Sequence, residues 1–223
     1  MYRIEQYPSL GRNPVKLYYA PLACSLAAHI ACREAGLEFE LVRVDLPTKR
    51  TEAGGDLFAE NPMGQVPTLV LAGGRILTEN VAVLSYLADQ APNQAAEGDP
   101  EPADRYELTR WLAFVSTEIH KKVLWPIYSP TTPGVVKEYA RGAAVPALDV
   151  VAARLESRDV LVGRSFTVAD ALLFWALTIL PFGGVALDRH PALIRYRALH
   201  RGRPAVHAAL KLERAAFETP FAA

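Results

Sequence analysis

A cysteine lies where a predicted strand runs into a predicted helix. The segment YAPLACS, residues 19–25, follows the apolar run VKLYY and opens the alanine-rich stretch ACSLAAHIACREAG. Unpaired backbone N–H groups at a helix N-terminus stabilise a thiolate, which would lower the pKa of Cys24 and make it reactive. The alternative is that Cys24 packs as a small hydrophobic residue, as most free cysteines do. Cys32, in the middle of the same predicted helix, is assigned to packing.

Two further motifs could present backbone groups to a small molecule. In GQVPTL, a cis bond between Val66 and Pro67 would leave the backbone of Val66 facing a cleft, whereas a trans proline at an edge strand is the commoner alternative. In LTEN, Thr78, Glu79 and Asn80 stand where a strand meets a helix. Such a helix start can bind a carboxylate, although ordinary helix capping explains the same residues.

A predicted helix in the second half of the chain has two different faces. Its apolar stripe follows helical spacing and consists of Leu108, Trp111, Leu112, Val115 and Ile119. The opposite face carries Ala113, Thr117, His120 and Leu124, with Lys121 beside it. A solvated face would hold more Lys and Glu, so this small, weakly polar surface indicates a cleft or a domain interface. A lone histidine on a helix is still more often structural than catalytic.

These candidates must be positioned by two structurally different halves of the chain. Strand and helix signals alternate up to residue 90 in the order β-α-β-(α)-β-β-α, which predicts a compact α/β unit. The stretch APNQAAEGDPEPAD has three prolines and four acidic residues without a basic one, which is typical of a linker. After it, only helical periodicity is found, with helices predicted near 135–157, 167–180, 191–201 and 204–216. Thr167 and Asp170 form a predicted capping box.

Composition excludes several classes of protein. The chain has 223 residues with 24 Lys+Arg and 24 Asp+Glu, and this absence of net charge argues against a nucleic-acid partner. The apolar run ALLFWALTILPFGGVAL is cut by Pro181 and is too short to span a membrane. The N-terminus shows no secretory signal, so a cytoplasmic location is expected. The two cysteines lie too far apart on one helix to bridge, and no cluster has metal-ligand spacing, so no metal is expected.

Together these motifs resemble the beta-class bacterial glutathione transferases. The resemblance rests on VKLYY with ACSLAAHIACREAG, on VDLPTKRTEAGGDLFAENPMGQVPTL, and on LTEN, STEIHK and FTVADALLF, in order from Val15 to Pro204. It implies an α/β plus all-α architecture, with a thioredoxin-like glutathione-binding domain at 15–92 followed by a helical-bundle C-terminal domain at 105–223. Residues 1–14 and 93–104 would be a flexible arm and a linker. A homodimer with glutathione in the cleft between the domains is also implied.

The resemblance assigns roles to residues of the first half. Cys24 takes the place of the family's cysteine near the glutathione sulfur, and Ser25 follows it. Lys49 matches a lysine that reaches the glycine end of the peptide. Val66, before a cis Pro67, would pair its backbone with the cysteinyl unit.

Residues of two helices complete the implied site. Glu79 and Asn80 match the pair that holds the γ-glutamyl head. Thr117 to His120 match the wall beside the sulfur, and His120 or the adjacent Lys121 could add positive charge or relay a proton. The predicted catalytic set is therefore Cys24, Ser25, His120 and Lys121.

The chain also departs from the family pattern. Leu22 stands where a glycine is common, Asn80 replaces the usual Ser or Gly, and Ala113 replaces an asparagine. The tryptophan expected after the FTVAD helix is absent, and LTILPFGG stands there. The electrophile pocket is therefore not inherited from the resemblance.

Three functions follow as hypotheses. The first is detoxification, in which reduced glutathione is conjugated to small hydrophobic electrophiles. The second is a glutathione-dependent thiol–disulfide oxidoreductase or peroxidase that works through Cys24. The third is a non-catalytic binding module with the same fold, against which the retained Cys24, Glu79 and His120 argue.

Overall fold

The computed structural model describes residues 15–91 and 102–221, apart from the side chains of residues 102 and 103. The arm expected at 1–14 and most of the linker expected at 93–104 lie outside the described residues. Within the described residues, no helix is long and apolar enough to cross a membrane.

The first half forms a four-stranded mixed sheet. Its strands are β1 (Val15–Tyr19), β2 (Phe39–Arg43), β3 (Thr68–Val70) and β4 (Ile76–Leu77), in the spatial order β2-β1-β3-β4. β1 runs parallel to β2 and antiparallel to β3, and β3 runs antiparallel to β4. The parallel pair needs a crossover, which is supplied by helix α1 (Ser25–Glu34). A 3₁₀ turn (Leu57–Ala59) precedes β3, and helix α2 (Asn80–Gln90) follows β4.

Helix α1 is the central element of the structure. Its residues from Ser25 to Cys32 are all buried, because α1 packs against the sheet, against α2 and against helices of the second half. The small side chains of the alanine-rich sequence allow this close approach on several sides. Cys32 is fully buried in that core, as the packing assignment predicts.

The second half is helical throughout its described residues. The elements are α3 (Pro102–Phe114), a π-helix (Val115–Leu124), α4 (Trp125–Tyr128), α5 (Gly134–Leu155), α6 (Val168–Ile179), a 3₁₀ turn (Leu180–Gly183), α7 (Pro191–Arg201) and α8 (Pro204–Glu218). The four helices predicted from periodicity are confirmed within two residues at each end. Nearly every residue of α6 is buried, which explains its long apolar run.

Helix α6 begins at the predicted capping box. The carboxylate of Asp170 accepts hydrogen bonds from the backbone N–H and the hydroxyl of Thr167, both at 2.8 Å. It also accepts from the backbone N–H of Leu161 and the hydroxyl of Tyr196, each at 2.8 Å. Asp170 thus ties the loop before α6 to α7 as well as starting the helix.

The π-helix was not predicted and changes one expectation. Its hydrogen bonds reach five residues back, as in the bond from the N–H of Trp125 to the carbonyl of His120. The apolar stripe is buried from Trp111 to Ile119, whereas Leu108 is only half-buried. Leu124, expected on the polar face beside His120, is also buried. Ordinary α-helical spacing fails there because the wider turn shifts the register of the residues that follow.

Candidate active site

Three elements meet at Cys24. This residue is the N-cap of α1, and its thiol donates a hydrogen bond to the carbonyl oxygen of Val66 at 3.2 Å. The bond between Val66 and Pro67 is cis. From the first turn of α2, the side-chain amide of Asn80 donates to the Cys24 carbonyl at 3.4 Å. Cys24, Val66, Pro67 and Asn80 are therefore brought together as expected.

The thiol of Cys24 is not activated in this structure. Burial raises its pKa to about 12, although the positive charge of Lys121, a backbone hydrogen bond and the Asn80 amide act in the opposite direction. The expectation that the helix N-terminus lowers this pKa is therefore wrong. The physical reason is that desolvation penalises the thiolate more than the nearby dipoles and charge stabilise it.

Ser25 faces the interior. It is fully buried, its hydroxyl accepts from the N–H of Ala20 at 3.2 Å, and it donates to the Ala20 carbonyl at 3.3 Å. These bonds close the turn between β1 and α1. The geometry favours a role for Ser25 in holding that turn.

The turn before Cys24 is held by the second half of the chain. Leu22 has a left-handed backbone, with φ of 60°, which costs roughly 1–2 kcal/mol for a residue with a side chain. Its N–H donates to the carboxylate of Glu213 at 2.8 Å, and its carbonyl accepts from the indole N–H of Trp175 at 3.0 Å. Both polar groups of Leu22 are thus satisfied by side chains of α8 and α6.

Glu213 belongs to a buried chain of polar groups. Its other carboxylate oxygen lies 2.9 Å from Nδ1 of His29, and Nε of Arg33 donates to Nε2 of His29 at 2.8 Å. Because Nε2 accepts, Nδ1 carries the proton and donates to Glu213. Burial lowers the pKa of His29 to about 3, with help from the charge of Arg33. Burial also raises the pKa of Glu213, whereas the hydrogen bond from the Leu22 N–H acts in the opposite direction and favours the carboxylate.

The sequence analysis missed Glu213 and Trp175. Glu213 lies one helical turn after Ala209 and Leu210 on the buried face of α8, so a charged residue at an apolar position was the available signal. Trp175 lies inside α6, where its indole looks like ordinary core. Neither partnership with Leu22 can be read from local spacing.

His120 contacts the candidate site indirectly, through the indole ring of Trp175. The two rings meet edge to face with centroids 4.9 Å apart, and Trp175 in turn contacts the Leu22 carbonyl. Burial, and secondarily the charge of Lys121, lowers the pKa of His120 to about 4, so the imidazole is neutral at pH 7. The expectation that His120 adds positive charge is therefore wrong, and the same low pKa makes the imidazole a weak proton acceptor at pH 7.

Lys121 and Thr117 lie on the exposed side of the π-helix. The ammonium of Lys121 lies 4.5 Å from the ring centroid of Trp125, and its charge acts on the thiol of Cys24. The hydroxyl of Thr117 donates to Glu118 at 3.2 Å. No hydrogen bond joins Thr117 to Cys24 among the described residues.

The start of α2 carries backbone strain without a capping bond. Glu79 is the exposed N-cap residue with φ of 67°, and its side chain makes no cap hydrogen bond. In the part of the chain that the structure describes, its carboxylate has no ion-pair partner. The buried Oδ1 atom of Asn80 is also unpartnered there. Strained, unpaired polar groups of this kind are typical of ligand sites.

Lys49, in the loop after β2, is another residue with a positive φ, of 63°. Its backbone is fixed by a bond from its N–H to the Asp45 carbonyl at 2.8 Å, and its own carbonyl accepts from the N–H of Leu57 at 2.9 Å. No acidic side chain pairs with Lys49 among residues 15–91 and 102–221. The ammonium group is therefore available to an anion.

Two family models match this chain. The glutathione S-transferase N-terminal domain matches residues 23–90, and the glutathione S-transferase C-terminal domain matches residues 116–204. A curated relative, glutathione S-transferase GstA of Escherichia coli O157:H7, is 44% identical over 163 residues, covering 73% of this chain and 81% of the relative. The chain belongs to the glutathione S-transferase family.

Solved glutathione S-transferases agree with this assignment. A sphingomonad enzyme complexed with glutathione is 42% identical with a TM-score of 0.83, covering 89% of this chain and 98% of that one. A bacterial beta-class enzyme from Sphingomonas chungbukensis is 39% identical with a TM-score of 0.83, over 89% and 98% of the two chains. The resemblance to the beta class and the thioredoxin-like plus helical architecture are thereby confirmed.

The half-buried His120 makes the stability of this glutathione S-transferase depend on pH. Its pKa is about 4 when folded, against 6.5 for an ordinary histidine. The stabilisation is therefore fully present above pH ~6.5 and is lost as the pH falls toward 4, by up to about 1.4 kcal/mol per pH unit. We expect urea titrations of His120→Asn to give a flatter dependence of unfolding free energy on pH over this window. Equal slopes in both proteins would contradict the assignment.

Glu213 is expected to be a main support of the turn at Leu22. Glutamine has only one accepting oxygen, so in Glu213→Gln either the N–H of Leu22 or that of His29 loses its acceptor. The unfolding free energy should therefore fall by about 2–4 kcal/mol. Urea denaturation measures this change. Glu218→Gln, at an exposed position of the same helix, is the control and should change stability by less than about 0.5 kcal/mol. Similar effects of the two substitutions would show that the buried network contributes little.

Proposed function

We propose that this glutathione S-transferase conjugates reduced glutathione to small hydrophobic electrophiles. The observation that carries the proposal is the convergence of Cys24, Val66 and Asn80. It is supported by Lys49 and Glu79, two charged side chains that have no ion-pair partner among the described residues. Glutathione is a small peptide with two carboxylates and one amine. These residues offer a complementary group for each part of that peptide.

Each end of glutathione has its own set of protein groups. The glycine carboxylate pairs with Lys49, whose ammonium group has no acidic partner among the described residues. The γ-glutamyl carboxylate accepts from the backbone N–H groups at the start of α2 and from Asn80. The γ-glutamyl amine pairs with Glu79, and the backbone of the cysteinyl unit bonds that of Val66.

The glutathione sulfur then lies beside the Cys24 thiol. Because Cys24 is protonated at pH 7, its S–H acts as a hydrogen-bond donor, and the acceptor can change from the Val66 carbonyl to the glutathione thiolate. The positive charge of Lys121 stabilises the same thiolate. The proton that the glutathione thiol releases passes to solvent, because His120, with a pKa of about 4, does not retain a proton at pH 7. We assign no catalytic role to Ser25, because its hydroxyl is already hydrogen-bonded to the backbone of Ala20.

The second substrate would come from the helical half. Thr117 on the π-helix and the segment after α6 form the nearest candidate wall for an apolar electrophile. We further propose a homodimer, a cytoplasmic location and a role in detoxification, without a metal, nucleic acid or membrane partner. These finer points rest on the family and on the composition of the chain.

Thiol–disulfide exchange through Cys24 is the second candidate function. Partial exposure of Cys24 and its place beside the proposed sulfur position would allow a mixed disulfide with glutathione. The raised pKa of the thiol argues against it, because the thiolate is the attacking species. A non-catalytic module is the weakest candidate, since the residues that would bind glutathione are retained.

A substrate panel separates these functions. We expect the wild-type protein to turn over an aryl halide with glutathione, and Cys24→Ala to lose about tenfold or less of that rate, the worth of one hydrogen bond. Cys32→Ala is the matched control and should retain the full rate. Reduction of hydroxyethyl disulfide, if present, should disappear in Cys24→Ala. Disulfide reduction without aryl halide conjugation in the wild type would replace the proposal with the oxidoreductase.

Calorimetry tests the two charged ends of the proposed site. Lys49→Met and Glu79→Gln should each weaken glutathione binding by about tenfold, because each removes one charge-assisted hydrogen bond. The double variant should lose about a hundredfold, since the two sites touch different ends of the ligand. Lys16→Met removes an exposed lysine that pairs with Glu40 and serves as control. Unchanged affinity in the double variant would contradict the proposed orientation.

A further inference from the structure

The C-terminal segment after α8 returns to the first half of the chain at Arg43, the last residue of β2. One terminal nitrogen of the guanidinium donates to the carbonyl of Thr219 at 2.7 Å, and the group lies 5.3 Å from the ring centroid of Phe221. The other terminal nitrogen bonds the carboxylate of Glu52 at 2.7 Å. A single side chain therefore joins the C-terminal segment to the loop that follows β2.

That loop contains Lys49. Three successive backbone contacts join the two ends of this loop. The N–H of Glu52 donates to the Arg43 carbonyl at 3.3 Å, and the N–H of Asp45 donates to the Arg50 carbonyl at 2.9 Å. Between these bonds, Val44 and Thr51 form an antiparallel bridge. Inside this closure Lys49 adopts its left-handed backbone. The ion pair between the side chains of Arg43 and Glu52 lies at the base of this loop, next to the C-terminal segment.

The chemistry of Arg43 fits a positioning role. Its side chain is only 10% exposed, and its buried Nε atom has no partner among the described residues. Burying a guanidinium with an unpaired N–H is costly, so packing alone does not account for an arginine here. The planar fork has one feature that lysine or leucine lacks: its two ends bond two different segments at once.

We propose that Arg43, together with the C-terminal segment, positions the Lys49 loop for the glycine carboxylate of glutathione. This inference rests on the proposed function. Arg43 does not touch the ligand and acts through the loop, so it is a positioning residue. The C-terminal segment thereby contributes to affinity for one end of the peptide and leaves the γ-glutamyl end unaffected.

A pair of peptides distinguishes this role from general stabilisation. γ-Glutamylcysteine lacks the glycine and so lacks the carboxylate that Lys49 binds. By calorimetry, the wild type should prefer glutathione to γ-glutamylcysteine. Removal of residues 219–223 should reduce this preference by about three- to tenfold while the affinity for the dipeptide stays the same. Arg43→Met should behave in the same way, and Lys16→Met, another cation of the sheet, should change neither affinity.

A second experiment tests whether the C-terminal segment acts through Lys49. If the C-terminal segment acts through this lysine, its removal should not weaken glutathione binding further in the Lys49→Met background. Of the described residues that the truncation removes, Thr219 and Pro220 are exposed and Phe221 is half-buried, so it keeps the test valid even if Arg43→Met does not fold.

The outcomes that overturn the inference are distinct. An equal loss for both peptides, an undiminished preference for glutathione, or additive effects with Lys49→Met would each overturn it. If the wild type binds glutathione and the truncation leaves the preference unchanged, only this inference fails. If the wild type binds neither peptide, the proposed function fails and the inference fails with it.

Discussion

The buried carboxylate of Glu213 fixes the backbone on which the candidate site is built. Removing a carboxylate from water costs several kcal/mol unless donors replace the lost hydration. Here the donors are the N–H of Leu22 and the imidazole of His29, which belong to the turn and to α1. Any shift of that turn leaves one of these groups unsatisfied. The position of Cys24, two residues after Leu22, follows from this requirement.

Within the described residues, three non-glycine residues have a positive φ, and all three belong to or adjoin the set proposed to bind glutathione. Leu22, Lys49 and Glu79 would each be more stable as glycine in terms of backbone energy alone. Hydrogen bonds hold the backbone groups of Leu22 and Lys49, and the Glu79 carbonyl accepts from the N–H of Val83 in its own helix. The fold is thus locally destabilised at the places where a ligand would be held, a pattern associated with preorganised binding groups.

Much of the fold could be predicted from the sequence because its elements follow simple periods. Strand β1 and helix α7 have their predicted bounds, since an alternating apolar pattern and a proline start are local signals. The π-helix was missed because its wider turn leaves no mark in composition. Leu124 was misplaced for the same reason.

The chemistry of the site was less accessible from the sequence. The grouping of Cys24, Val66 and Asn80 could be expected from motifs, but the pKa of Cys24 depends on burial by elements far along the chain. The partners of Leu22 lie 153 and 191 residues away, so no local pattern points to them. Lys121 remains the cation that acts on the thiol, whereas the burial of His120 against Trp175 removes its charge at pH 7.

The hydrogen bonds around Leu22 also bear on how such a chain can diversify. The strand–helix turn that presents Cys24 is encoded in the first half, yet both of its polar groups are completed by α6 and α8. The halves therefore do not exchange as independent modules. A recombinant between two such proteins keeps this turn only if its second half supplies a carboxylate and an indole at the positions of Glu213 and Trp175.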